Sequence, residues 1–95
     1  MQIKHLKVKG KNVQGFEVRL QNAALVLARV QKGYIMCGYL DIKTAEKLGD
    51  CAAIVRGVKD VEGLLTWNVT EMTTAARKAG VKAGIKGLAA LSKML

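Results

Sequence analysis

The stretch Tyr34 to Gly57, YIMCGYLDIKTAEKLGDCAAIVRG, constrains the fold most, because an uncharged strand-like run stops at Asp41 and a small-residue helical pattern begins at once. Tyr34–Leu40 carries no charge and lies between Gly33 and Asp41, the signature of a strand buried on both faces and hence central in a sheet. Asp41 has the side chain needed to accept a bond from an orphan amide of the next turn, so it is the expected helix cap. Beyond it, Ile42, Ala45, Leu48, Ala52 and Val55 fall on one helical stripe. Gly49-Asp50 interrupts that stripe: either one helix runs through with a weak point there or, the favoured reading, it ends at Gly49 and a second short helix starts with Asp50 as its cap.

The flanks have different periodicities. Leu6–Val8 alternates with Lys7 and Lys9, and Phe16–Leu20 alternates as Phe-Glu-Val-Arg-Leu. With Gly10-Lys11-Asn12 as the turn, Ile3–Leu20 reads as a β-hairpin whose wet face carries Lys7, Lys9 and Arg19 and whose apolar face carries Leu6, Val8, Phe16, Val18 and Leu20. Ala24–Val30 is a further apolar strand, so the first four strands make an antiparallel meander. Asp60 is the expected cap of a short helix with Val61, Leu64 and Leu65. Thr66–Thr70 is rich in β-formers and reads as a fifth strand, with Trp67 as core. Thr70 is the expected cap of a helix over Glu71–Ala79, Val81–Ile85 a short extended piece, and Gly87–Leu95 the last helix. The fold class is therefore α+β: an antiparallel meander of four to five strands with several short helices packed on one face. Within one domain, residues 1–22 form the hairpin, 24–70 the core and 71–95 the C-terminal helices.

Composition narrows the function classes. A chain of 95 residues with a formal charge of +9 has a modest core, and association of copies would enlarge it. Residues 1–32 carry seven Lys/Arg against one acid, residues 33–70 four against five, and residues 71–95 five against one. The basic flanks make nucleic acid or another polyanion an admissible partner, although the first strands hold only Phe16 as an aromatic, whereas single-strand binders interleave aromatics with charge. The longest uncharged run, Leu20–Ala28, is nine residues, too short to span a bilayer. A cytoplasmic chain with no membrane partner is the expectation.

Chemistry-bearing residues are few. Cys37 and Cys51 have no metal-ligand spacing and the one histidine, His5, is distant, so no metal or other cofactor is expected and the thiols read as buried and reduced. Cys37 and Asp41, with Asp50 and Arg56 nearby in sequence, are the candidate catalytic residues: a thiol at a strand end close to a helix N-terminus has the setting that lowers a thiol pKa. No base accompanies them, and a non-enzymatic role is the main expectation. Lys82, Gly84, Lys86 and Gly87 precede a helix and form a candidate anion-binding turn; it matches neither the P-loop nor the dinucleotide fingerprint.

The runs Lys32–Asp41, Ala45–Asp50 and Ala52–Val58, with Leu64-Leu65 and Gly80-Val81, resemble a small bacterial and archaeal family of unknown function, the YunC-like proteins. The resemblance is dense over about residues 24–70. It implies an α+β domain that forms a homotetramer through its N-terminal β region, with no catalytic residues assigned. Cys51 departs from the family's usual small apolar residue, and Lys86 from its commoner hydroxyl. The sequence thus leads to a homo-oligomeric binding or structural module, with a polyanion binder and a Cys37-dependent small-molecule enzyme as the alternatives.

Overall fold

The structure is a computed structural model that describes residues 1–95. Six strands form one sheet in sequence order: β1 (Gln2–Val8), β2 (Lys11–Arg19), β3 (Ala24–Val30), β4 (Gly33–Met36), β5 (Ala52–Ile54) and β6 (Glu71–Met72). The first four form the expected antiparallel meander. The helices are α1 (Ile42–Leu48), α2 (Val61–Thr66), α3 (Thr74–Lys78) and α4 (Gly87–Ser92), so the architecture is α+β. No helix is long and apolar enough to cross a membrane.

The first hairpin turns at Lys9 and Gly10, both with positive φ (52° and 79°), the backbone that a two-residue turn requires between right-twisted strands. Val8 therefore pairs with Lys11, Leu6 with Val13 and Ile3 with Phe16. The expected turn at Gly10–Asn12 would have set Leu6 opposite Phe16. An odd shift of register moves a strand's side chains to the other face, and the five supposed face-mates are divided accordingly. Leu6 and Val8 pack into the main core, whereas alternation puts Phe16 and Val18 on the reverse of the sheet, and Leu20 lies just past the strand with 39% exposure.

The main core lies between the inner sheet face and α2, α3 and α4, with Val13, Val26, Ile35, Leu64, Ala76 and Leu91 at its centre. Two glycines set how closely these layers approach. A Cβ on Gly15 would come within 2.8 Å of Val61, and one on Gly87 within 1.9 Å of the Leu64 carbonyl oxygen. The first hairpin is also tied to α2 by charge: Glu17 accepts the Val61 amide at 2.9 Å, and Lys4 reaches both Glu17 (3.1 Å) and Glu62 (3.2 Å). These carboxylates, Glu17 foremost, hold the Lys4 ammonium pKa above its ordinary value.

β4 is central and buried as expected, but it ends at Met36; the Leu40 amide closes a turn on the Cys37 carbonyl. Asp41 caps α1 and Asp60 caps α2, each as expected. Gly49 ends α1 in the left-handed conformation, but no helix follows. Ala52–Ile54 is instead β5, parallel to β4, because a parallel neighbour needs a crossover and α1 supplies it. All three residues of β5 are buried, so a strand wet on neither face leaves no alternation to read. α1 lies on the reverse face, where Ala45 packs with Met36, Ala52 and Ile54.

Further expectations change: Val81–Ile85 forms no strand, and the last helix ends at Ser92. Thr66–Thr70 is not a strand: α2 runs to Thr66 and only Asn68 forms a bridge, with Lys86. Trp67 is 55% exposed rather than core. The cap of α3 is Thr73, not Thr70, since Glu71 and Met72 pair with β5 before the helix starts. Thr73 is nearly fully buried, and its hydroxyl donates to the Asp50 carbonyl (2.7 Å) while accepting from the Ala52 and Ala76 amides (3.1 and 3.3 Å). One proton and two lone pairs are thereby all engaged, joining the α1–β5 loop, β5 and α3 at one atom.

Candidate functional site

α1 is only seven residues long and covers the reverse face at β4 and β5 alone. Alternation along β1, β2 and β3 puts Ile3, Phe16, Val18, Leu25 and Leu27 on that same reverse face, and the pairings Ile3–Phe16, Phe16–Leu27 and Val18–Leu25 make them one contiguous apolar area. No helix lies over it except where Leu27 meets the cluster under α1. Ile3 is 49% exposed and the others are half-buried.

Where this face meets α1 there is a groove of about 430 Å³. Leu27, Met36, Leu40 and Leu48 form its apolar walls, and Arg29, Tyr34 and Asp41 its polar rim. Leu48, at the end of α1, is 71% exposed. The Tyr34 hydroxyl donates to Asp50 at 2.6 Å; burial first, then this bond to the carboxylate, pushes the phenol from its ordinary 10.0 up to about 12. Asp41 accepts from the Thr44 hydroxyl (2.8 Å) and the Lys43 amide (3.1 Å), and these bonds, Thr44's first, lower its carboxyl pKa. Arg29 donates to Gln14 at 3.1 Å and has no carboxylate within ion-pair distance.

The candidate catalytic residues Cys37 and Asp41 each have other partners. Cys37 is buried, and its sulfur accepts the Val26 amide at 3.3 Å, while Asp41 is engaged at the start of α1. Their partners are backbone amides and a threonine, so neither has a base or an acid to exchange a proton with. Asp50 holds Tyr34, and Arg56 pairs with Glu71. Cys51 is half-buried, which raises its thiol pKa. No three His, Cys, Asp or Glu side chains gather closely enough to hold a metal ion.

The candidate anion turn is engaged as well. The Gly84 amide donates to the Val69 carbonyl and the Gly87 amide to the Trp67 carbonyl. Lys86 reaches the Thr66 carbonyl with its ammonium and makes no side-chain cap for α4, in keeping with the missing hydroxyl there. Those amides serve to join the α3–α4 connection to the end of α2, so they form no anion cradle. Lys82 is exposed. Sequence reasoning missed Ile3, Leu25 and Leu27 as members of an open face. In β3 every second residue from Ala24 faces the core and those between are also mostly apolar, so alternation gave no sign of which face is uncovered.

The profile of one family, described as Domain of unknown function (DUF1805), matches residues 36–94. The chain belongs to that family. It is 33% identical over 94 residues to the uncharacterized protein YunC of Bacillus subtilis (strain 168), covering 95% of this chain and 93% of YunC. Its fold is similar to the crystal structure of a protein of unknown function, TA1206, from Thermoplasma acidophilum, with a TM-score of 0.94 and 37% identity over 99% of this chain and 92% of that one. The YunC-like resemblance read from the motifs thus extends over nearly the whole chain.

Proposed function

We propose that the chain acts as a homo-oligomeric binding or structural module in a reducing, cytoplasmic setting, and that copies associate through the reverse face of β1–β3. The observation that supports this reading is the contiguous row Ile3, Phe16, Val18, Leu25 and Leu27, over which no helix lies except where Leu27 meets the cluster under α1; Ile3 is exposed and the other four are half-buried. Phe16 and Val18 keep the role assigned to them from sequence, and the register replaces Leu6 and Val8 by residues of β1 and β3. Burying a large apolar side chain from full exposure is worth about 1.5–3 kcal/mol; four of the five are already half-buried, so pairing two such rows gains part of that at each residue and favours a closed pair of sheets. His5, Lys7 and Arg29 occupy the same face at its other end, and like charge there opposes unlimited stacking. A tetramer is the assembly that the family resemblance implies.

Sedimentation equilibrium of the full chain tests this reading. The expected result is a mass well above the 10.2 kDa of one copy at micromolar concentration, with four copies as the limiting state. A mass of one copy throughout would overturn it.

A further inference from the structure

The loops that leave the carboxyl ends of the parallel strands β4 and β5 run together on the side of the sheet away from the hairpin turn. Arg56 lies against Gly38, so that a Cβ there would sit 3.0 Å from its guanidinium, and the Trp67 ring lies over Gly57, 3.4 Å from where a Cβ would be. Tyr39 shares a shallow hollow with Gly57 and Val58, and Trp67 shares the adjoining one with Arg56, Asn68 and Lys86. Both rings are more than half exposed, Tyr39 at 52% and Trp67 at 55%, in a chain with only four aromatic residues. Arg56 is neutralised by Glu71, but Lys86 has no carboxylate within ion-pair distance, nor has Lys59, which lies outside these two hollows in a third that it shares with Glu17 and Arg19 and that meets the Tyr39 hollow at Ala24.

We propose that this strip binds single-stranded nucleic acid, with bases stacked on Trp67 and Tyr39 and phosphates held by Lys86 at one end and by Lys59, just beyond the Tyr39 hollow, at the other. A π-face accepts any base and an exposed cation any phosphate, so the mode is tolerant of sequence and sensitive to salt. The first strands supply charge with little aromatic surface. This strip has both, and it lies on different residues from the proposed contact between copies, so each stands without the other.

Trp67 is the chain's one tryptophan and reports its own occupancy. Its emission is followed while oligothymidylate or oligouridylate is added to the full chain at about 50 and about 200 mM salt. The expected result is quenching at low salt by at least one of the two, the tighter identifying DNA or RNA, and weaker binding at high salt. Tyr39→Ala is expected to weaken binding by about fivefold or more, Tyr39→Phe to retain it, and Lys59→Glu to reduce the salt dependence. Absence of quenching by both polymers at low salt, affinity unchanged in both Tyr39→Ala and Lys59→Glu, or equal affinity for duplex DNA would overturn the proposal.

Discussion

The two ends of the sheet are built on different terms. From β1 to β3, neighbours in the sheet are neighbours in sequence, two short turns set the register, and only one face is covered. From β4 to β6 the strands shorten to four, three and two residues, the β4–β5 pairing is parallel and needs α1 to bring it about, and both faces of β5 are buried. The first region has complete strands and lacks a cover; the second has a cover on both sides and strands that are too short to form without it. Tertiary packing therefore makes the second region, whereas local pattern makes the first, and a substitution should disturb each in its own way.

The largest expected effect is where α4, over β4, meets α2. Gly87→Ala sets a Cβ where the Leu64 carbonyl oxygen already is, 1.9 Å away, and backbone must shift on both α2 and α4. We expect a loss of about 3 kcal/mol, the upper part of the range for overpacking, read from the urea midpoint. An alanine at Gly10, where a Cβ meets nothing within 4 Å but φ is 79°, should cost about 1 kcal/mol through turn strain alone. Equal losses at the two sites would break the contrast.

Thr73→Val is next. It keeps the shape, but removes the partner of the Asp50 carbonyl and of the Ala52 and Ala76 amides, with an expected loss of about 2 kcal/mol. In hydrogen exchange, protection should fall at Ala52 and Ala76 while the β1–β2 amides stay protected. A uniform fall along the whole sheet would mean that the two regions unfold as one unit.

A smaller and pH-confined effect belongs to Tyr34. Its phenol is raised to about 12 in the fold against an ordinary 10.0, so folding favours the protonated form. That contribution is fully present below pH 10 and is lost as pH rises through 12. The thermal midpoint should therefore fall over this window. In Tyr34→Phe that fall should be shallower, with Lys4 leaving some slope because its ammonium pKa is also raised. An identical slope in both proteins would contradict the Tyr34–Asp50 tie.

The same contrast explains what could be read from the sequence. The four meander strands and the caps Asp41 and Asp60 were legible because alternation and capping are local rules, carried by Lys7, Glu17 and Arg19 on one side and by a carboxylate just before a helix on the other. β5 was not legible. Ala52, Ala53 and Ile54 are buried on one face by the adjoining α1 and on the other by elements distant in sequence, and their spacing from Ala45 and Leu48 mimics a helix stripe. Thr70 and Thr73 are equally good caps by residue type, and only the pairing of Glu71 and Met72 with β5 decides for the second. The apolar row was half legible: Phe16 and Val18 were found, but a turn at Lys9-Gly10 rather than at Gly10–Asn12 moves Leu6 and Val8 to the core.

Whether another copy covers the open face of β1–β3, as proposed, is decided by comparing two substitutions in sedimentation equilibrium. Phe16→Asp puts a charge in the middle of the open row, whereas Leu88→Asp puts one on α4, at a leucine that is 45% exposed and outside it. Phe16→Asp is expected to reduce the assembly to single copies with little loss of folded structure, and Leu88→Asp to leave its mass as in the unaltered chain. Retention of the full assembly by Phe16→Asp, or its loss in Leu88→Asp alone, would contradict the proposal.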